Sequence, residues 1–226
     1  MVTQHAIGAH TDSHRPVWRP AIPAVLVLAL VVVATLLGAG PATAYPPDPP
    51  DAATSRAHLT EIGVTPEGSS DGYDRDKFPH WSSQGDNCNT REVVLARDGS
   101  GVVVDDDCYP TAGRWYSVYD AAWVESPADV QIDHIVALSE AWHSGASAWT
   151  TAEREQFAKD LEHAQLIAVS GSSNQAKSDH DPAEWTPPNT AVHCIFAREW
   201  IDVKYVWELT IDQAEHDALN VLLDSC

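Results

Sequence analysis

Basic residues are scarce in this chain: 13 Lys and Arg stand against 33 Asp and Glu, for a net charge of −20 over 226 residues. Proteins that grip duplex nucleic acid through many phosphate contacts are usually basic. A broad electrostatic interface of that kind is therefore excluded, and any polyanion must be held locally with the help of a metal. The acidic surface otherwise serves solubility outside the cell. There is no H-E-x-x-H, which argues against a zinc protease. No C-x-x-C occurs, so a structural zinc site is the weaker reading of the cysteines. No internal repeat is present, and no apolar run reaches the ~20 residues of a spanning helix.

The longest apolar run, Ala24 to Gly40, follows a polar start with His14, Arg15 and Arg19 and precedes Ala42-Thr43-Ala44. That order is the pattern of a cleaved secretory signal. It predicts a signal peptide over 1–44, a secreted product and no stable membrane association. Residues 45–70, beginning with YPPDPPDAATS, read as a Pro-rich, mostly flexible linker, with a short helix within RAHLTEIGVTP. Residues 71–226 form one domain, long enough for its own core. Cys88, Cys108, Cys194 and Cys226 all lie in the exported part, and an even count in an oxidising compartment reads as two disulfides. Of the three pairings, Cys88–Cys108 with Cys194–Cys226 is preferred, because it ties one local hairpin and the last two helices.

The segment YDRDKFPHW reads as an ordered, aromatic-anchored loop. NCNTREVVLARDGSGVVVDDDCYP reads as two strands, Val93–Leu95 and Val102–Val104, around a turn at Asp98-Gly99. GRWYSVYD continues the β-rich front, and DVQIDHIVAL is a strand. Capping boxes at Thr150–Glu153 and Thr210–Gln213 open helices. Between them, QLIAV is a strand, Ser172 or Ser173 caps a short helix carrying Asn174 and Lys177, and a long helix spans Asn189 to Glu208. The fold class is α+β, with a β-rich N-terminal part, a strand–strand–helix core and C-terminal helices.

The chemistry concentrates between Ile132 and Trp185. A phosphodiester hydrolase needs a base for water and a cation to offset charge on the phosphate and the leaving oxygen. Adjacent Asp133 and His134 point to opposite faces of a strand unless it ends or bends there. The hairpin then brings Asn174 opposite Asp133. Oxygen ligands of this kind suit a hard cation, Mg²⁺ first and Mn²⁺ second, better than Zn²⁺.

DHIVAL followed by N-x-x-K-S-D-x-D-P resembles the ββα-metal, or HNH, nuclease motif. The wider chain is similar to secreted actinobacterial HNH proteins related to the C-terminal domain of GmrSD-type restriction enzymes. N-T-R-E, C-Y, G-R-W, DHIVALSEAW, S-G-A, A-E-W-x-P-P and the closing Cys carry that likeness from Tyr73 to Cys226.

The resemblance implies that Asp133 and Asn174 are metal ligands, His134 the general base and Lys177 a phosphate contact. Gln165 stands nine residues before Asn174, where the family places an Asn that braces the loop. Glu140 and Arg91 are expected in supporting roles, Arg91 either bridging the β-rich half to the site or simply pairing with a carboxylate. Nucleic acid, DNA before RNA, is the expected substrate of a monomeric endonuclease whose activity falls below about pH 6 as the imidazole gains a proton. A catalytically weak or inactive HNH-fold binding protein is the alternative. The tryptophans serve packing before base stacking.

Overall fold

The computed structural model describes Met1 and residues 46–226, and the signal-peptide reading lies outside the described residues. Helix α1 (Ala52–Glu61) starts at Asp51, whose carboxylate accepts from the Thr54 N–H. It packs on α6 (His193–Val206): Leu59 is buried, and the His58 ring stacks on Tyr205 at 3.7 Å. Pro49 and Pro50 are held as well, since the Arg198 guanidinium donates to both carbonyls at 2.8 and 2.7 Å. The stretch read as a flexible linker is thus docked onto the domain, because its carbonyls and one apolar helix face find partners there.

Strands β1 (Ser83–Gly85) and β2 (Cys88–Asn89) form a small antiparallel pair. Helix α2 (Thr90–Asp98) follows at once, where a strand over Val93–Leu95 was expected. The β-branched run suggested extension, but Asn89 and Glu92 form a reciprocal capping box that satisfies two backbone N–H groups and opens a helix. Strands β3 (Gly99–Val104), β4 (Pro110–Ser117) and β5 (Ala122–Val124) make an antiparallel meander. Disulfide Cys88–Cys108 ties β2 to the β3–β4 turn, and Cys194–Cys226 ties α6 to the C-terminus.

The second half is a separate hairpin of β6 (Val130–His134) and β7 (Leu166–Ser170), with Asp133 opposite Ile167 and His134 opposite Leu166. Helices α3 (Leu138–His143) and α4 (Thr151–Ala158) lie between these strands in sequence. The capping box at Thr150 and Glu153 is present as expected. Helix α5 (Gly171–Lys177) leaves β7 with no intervening loop and is capped by Ser170, two residues before the earliest expected cap. Helix α7 (Gln213–Leu223) starts from Asp212, whose side chain accepts from the Glu215 N–H, rather than from Thr210.

Two apolar clusters hold the hairpin. One face of it, with Val130, Ile132, Leu166 and Ala168, packs on Val94, Leu95 and Trp115 of the β-rich half. Ile167 and Val169 join the larger core with Phe157, Phe196 and Trp200. Asp98, at the end of α2, accepts from the Ala168 N–H at 2.8 Å, so the two halves are also hydrogen-bonded. Among the described residues, no helix is long and apolar enough to cross a membrane.

Candidate active site

β6 ends at His134, which lets neighbouring side chains of opposite strand parity share one opening. Asp133, His134 and Asn174 all line a single cleft of about 520 Å³, together with Tyr73, Arg75 and Gln131. The cleft is therefore lined by β6, the start of α3, and α5 with the residues just after it, with one wall from the segment before β1.

Asp133 is 4% exposed, and both carboxylate oxygens are engaged. Oδ2 accepts from the Tyr119 hydroxyl at 2.7 Å and Oδ1 from the Lys177 ammonium at 3.1 Å. Burial pushes the carboxyl above its usual range, while Lys177 and Tyr119 pull it down. The Tyr119 hydroxyl is itself raised well above its ordinary value by burial and by the Asp133 charge.

His134 Nε2 lies 2.9 Å from the Ala158 carbonyl. A carbonyl only accepts, so Nε2 carries the proton and Nδ1 is left as the basic nitrogen of the neutral ring. Nδ1 has no hydrogen-bond partner among the described residues. Burial lowers the His134 pKa to about 3, with Arg75, His80 and Lys177 adding smaller repulsions. Burial thus favours the neutral ring, and with it an acid limb of activity below the pH 6 expected from the ordinary histidine value.

Asn174 Nδ2 donates to Gln131 Oε1 at 2.9 Å. Gln131 and Asp133 project from the same face of β6, so this bond holds Asn174 against the face that carries the carboxylate. The amide oxygen of Asn174 keeps no partner among the described residues. An Asp carboxylate and a spare amide oxygen beside an open cleft are oxygen donors of the kind a hard divalent cation takes.

Gln165 is fully buried and clamps the loop after β6. Its Oε1 accepts from the Val136 N–H at 3.1 Å, and its Nε2 donates to the Val136 carbonyl at 2.9 Å. The Ile135 N–H donates to the Gln165 carbonyl at 2.8 Å, which fixes the backbone directly after His134. Arg91 reaches from α2 to the carbonyls of Pro127 and Val130, so of its two sequence readings the bridge to β6 is the one the geometry bears out.

Two expectations differ from the geometry. Lys177 is wholly buried; it donates to Asp133 and to the His134 carbonyl at 2.9 Å, so it braces the site from beneath and offers no ammonium to the cleft. Glu140 is not brought to the cleft. It binds Lys204 at 2.5 Å and lines another cavity with Asp181, Asp212 and Glu215. Ligand atoms of Glu67, Glu140 and His143 lie within 4.8 Å of one another, also outside the cleft lining.

Sequence reasoning missed Arg75. It sits on a 3-10 turn, Arg75–Lys77, exposed at the cleft and without an ion pair among the described residues. The turn is capped by Asp74, anchored by fully buried Phe78, and tied down where Arg154 Nε donates to the Lys77 carbonyl at 3.1 Å. The available signal was the ordered YDRDKFPHW segment; what could not be read was which of its charged side chains turns toward Asp133.

Residues 103–220 match the family model described as GmrSD restriction endonucleases, C-terminal domain. That span includes Asp133, His134, Gln165, Asn174 and Lys177. A protein of the fungus Arthroderma benhamiae, named an uncharacterized secreted protein, is 47% identical over 199 residues, covering 88% of this chain and 98% of its own. No solved structure matches. The relative is fungal, so confining the resemblance to actinobacteria was too narrow.

Proposed function

Because this chain belongs to the GmrSD restriction endonuclease C-terminal domain family, we propose that it is a secreted, metal-dependent endonuclease that hydrolyses nucleic-acid phosphodiesters. The carrying observation is the convergence of Asp133, His134 and Asn174 on one cleft, with a neutral imidazole whose Nε2 is already committed to a carbonyl. Asp133 and Asn174 would hold the divalent cation, Mg²⁺ before Mn²⁺. Such a cation supplies Lewis-acid stabilisation of the charge that develops on the phosphate and the leaving oxygen.

The chain's own groups do the rest. His134 Nδ1 takes a proton from water, and the water oxygen forms a bond to phosphorus as the bond to the 3′ oxygen breaks. The products are a 3′ hydroxyl and a 5′ phosphate. Gln165 and the Ala158 carbonyl fix the ring, while Tyr119 and Lys177 fix the carboxylate. Export is supported by the two disulfides and by the name of the fungal relative. DNA is the favoured substrate over RNA, and the working form is a monomer.

A specific observation favours a second reading, a weak or inactive HNH-fold binding protein: both Asp133 oxygens already accept hydrogen bonds. Incubation with supercoiled plasmid in Mg²⁺ or Mn²⁺ separates the two. The nuclease reading expects nicking that EDTA abolishes and that His134→Ala lowers by about 10²–10⁴-fold, the usual contribution of a general base. Equal activity of wild type and His134→Ala, or none in wild type, overturns it.

A further inference from the structure

We infer that Arg75, which lines this cleft, and Trp81, whose ring lies beside that of His134, bind the substrate and select single-stranded nucleic acid over duplex. In this arrangement Arg75 holds a backbone phosphate and Trp81 stacks on an unpaired base. The inference rests on the phosphodiester reading above and adds the substrate class.

Arg75 is an unpaired cation at the cleft of a chain with net charge −20. A guanidinium there matches a phosphate oxygen presented to the base. Trp81 is a large aromatic left 37% exposed. Its ring centre lies 6.1 Å from that of His134, tilted by 33°, and the His80 ring meets both edge-on, at 4.7 Å from Trp81 and 6.0 Å from His134. A cation for the backbone and an aromatic face for a base, both beside the proton acceptor, are the two elements with which proteins hold single strands.

The charge balance decides between strands. A duplex offers stacked, paired bases to which Trp81 adds nothing, and its second strand brings more negative charge to an acidic surface. A single strand can splay one base onto the ring while one phosphate meets Arg75.

The test compares binding of a dye-labelled 12-nucleotide single strand and its blunt duplex by fluorescence anisotropy, using the intact protein in EDTA at several salt concentrations. The single strand is expected to bind more tightly. Trp81→Ala should weaken single-strand binding about tenfold and erase the preference, with Trp81→Phe restoring most of it. Arg75→Ala should weaken both forms and reduce the slope of log affinity against log salt by about one. Trp123→Ala, which removes an exposed aromatic on β5, should leave both affinities as in wild type. Equal affinity for the two forms, an unchanged Trp81→Ala protein, or no binding of either overturns the inference. Cleavage of both forms at equal rates in Mg²⁺ would also overturn it while leaving the nuclease reading intact. Single-strand-selective binding without cleavage would do the reverse.

Discussion

Two lysines of this protein are wholly buried, and both lie near the same tryptophan. The ammonium of Lys177 is 5.9 Å from the Trp200 ring and that of Lys204 is 5.8 Å from it. Lys204 is saturated: it meets Glu140, Ser144 Oγ, the Thr210 carbonyl and Glu215, and so locks α3, α6 and α7 together. Lys177 meets only Asp133 and the His134 carbonyl, and its carboxylate partner borders an open cleft. The same pair of residue types thus serves as a closed tie in one place and as a tuned edge of a cleft in the other. What separates them is how many partners hold the ammonium, since the carboxylates are equally buried: four groups close around Lys204, and two hold Lys177.

Breaking the closed tie should have the largest effect. Lys204→Met leaves Glu140 and Glu215 buried without their cation and should cost about 3–5 kcal/mol, the usual cost of stripping one partner from a buried ion pair. Denaturant melts would read this directly, and a loss below 1 kcal/mol would mean that the carboxylates simply take up protons.

Lys177→Met sharpens the contrast from the other side. Asp133 keeps the Tyr119 hydrogen bond and gains water from the cleft, so the stability loss should be about 1–3 kcal/mol. Nuclease activity should fall far more than stability does, because the carboxylate loses the charge that favours its ionised form. Unchanged plasmid nicking by this variant would assign Lys177 to packing alone.

The smallest effect at neutral pH concerns Glu199, one residue before Trp200. It is buried, its Oε1 has no partner among the described residues, and burial raises its pKa to about 8 from an ordinary 4.5. The folded state therefore holds a proton that the unfolded chain has already released. The stability tied to this group is complete below pH 4.5 and is lost as pH rises through about 8. Glu199→Gln should flatten the fall in stability between those two pH values, measured by melts across the range; an unaltered slope would show that another group is responsible.

The same contrast explains what was legible in the sequence. Local signals read well: the Thr150–Glu153 box, the two hairpin strands and the cysteine framework all formed as expected. Val93–Leu95 was misread because β-branched residues outweighed the Asn89-x-x-Glu92 box that opens α2. That Asp133, His134 and Asn174 would share one cleft was legible from the motif they form, since the strand–strand–helix unit spans a short stretch of chain. Burial was not. Whether Lys177 faces the cleft or the core depends on the distant Trp200, and Glu140 was drawn away by Lys204, sixty-four residues further on. Arg75 required knowledge of how Phe78 packs against Trp142 and Phe157.

The grip of Arg198 on Pro49 and Pro50 bears on how this protein can be produced. A recombinant fragment begun at residue 71, where the compositional shift invites a cut, would strip α1 from α6, bare the Tyr205 ring and leave the Arg198 guanidinium with no carbonyl to cap. A fusion tag is better attached upstream of Pro46 than spliced into the clasp itself.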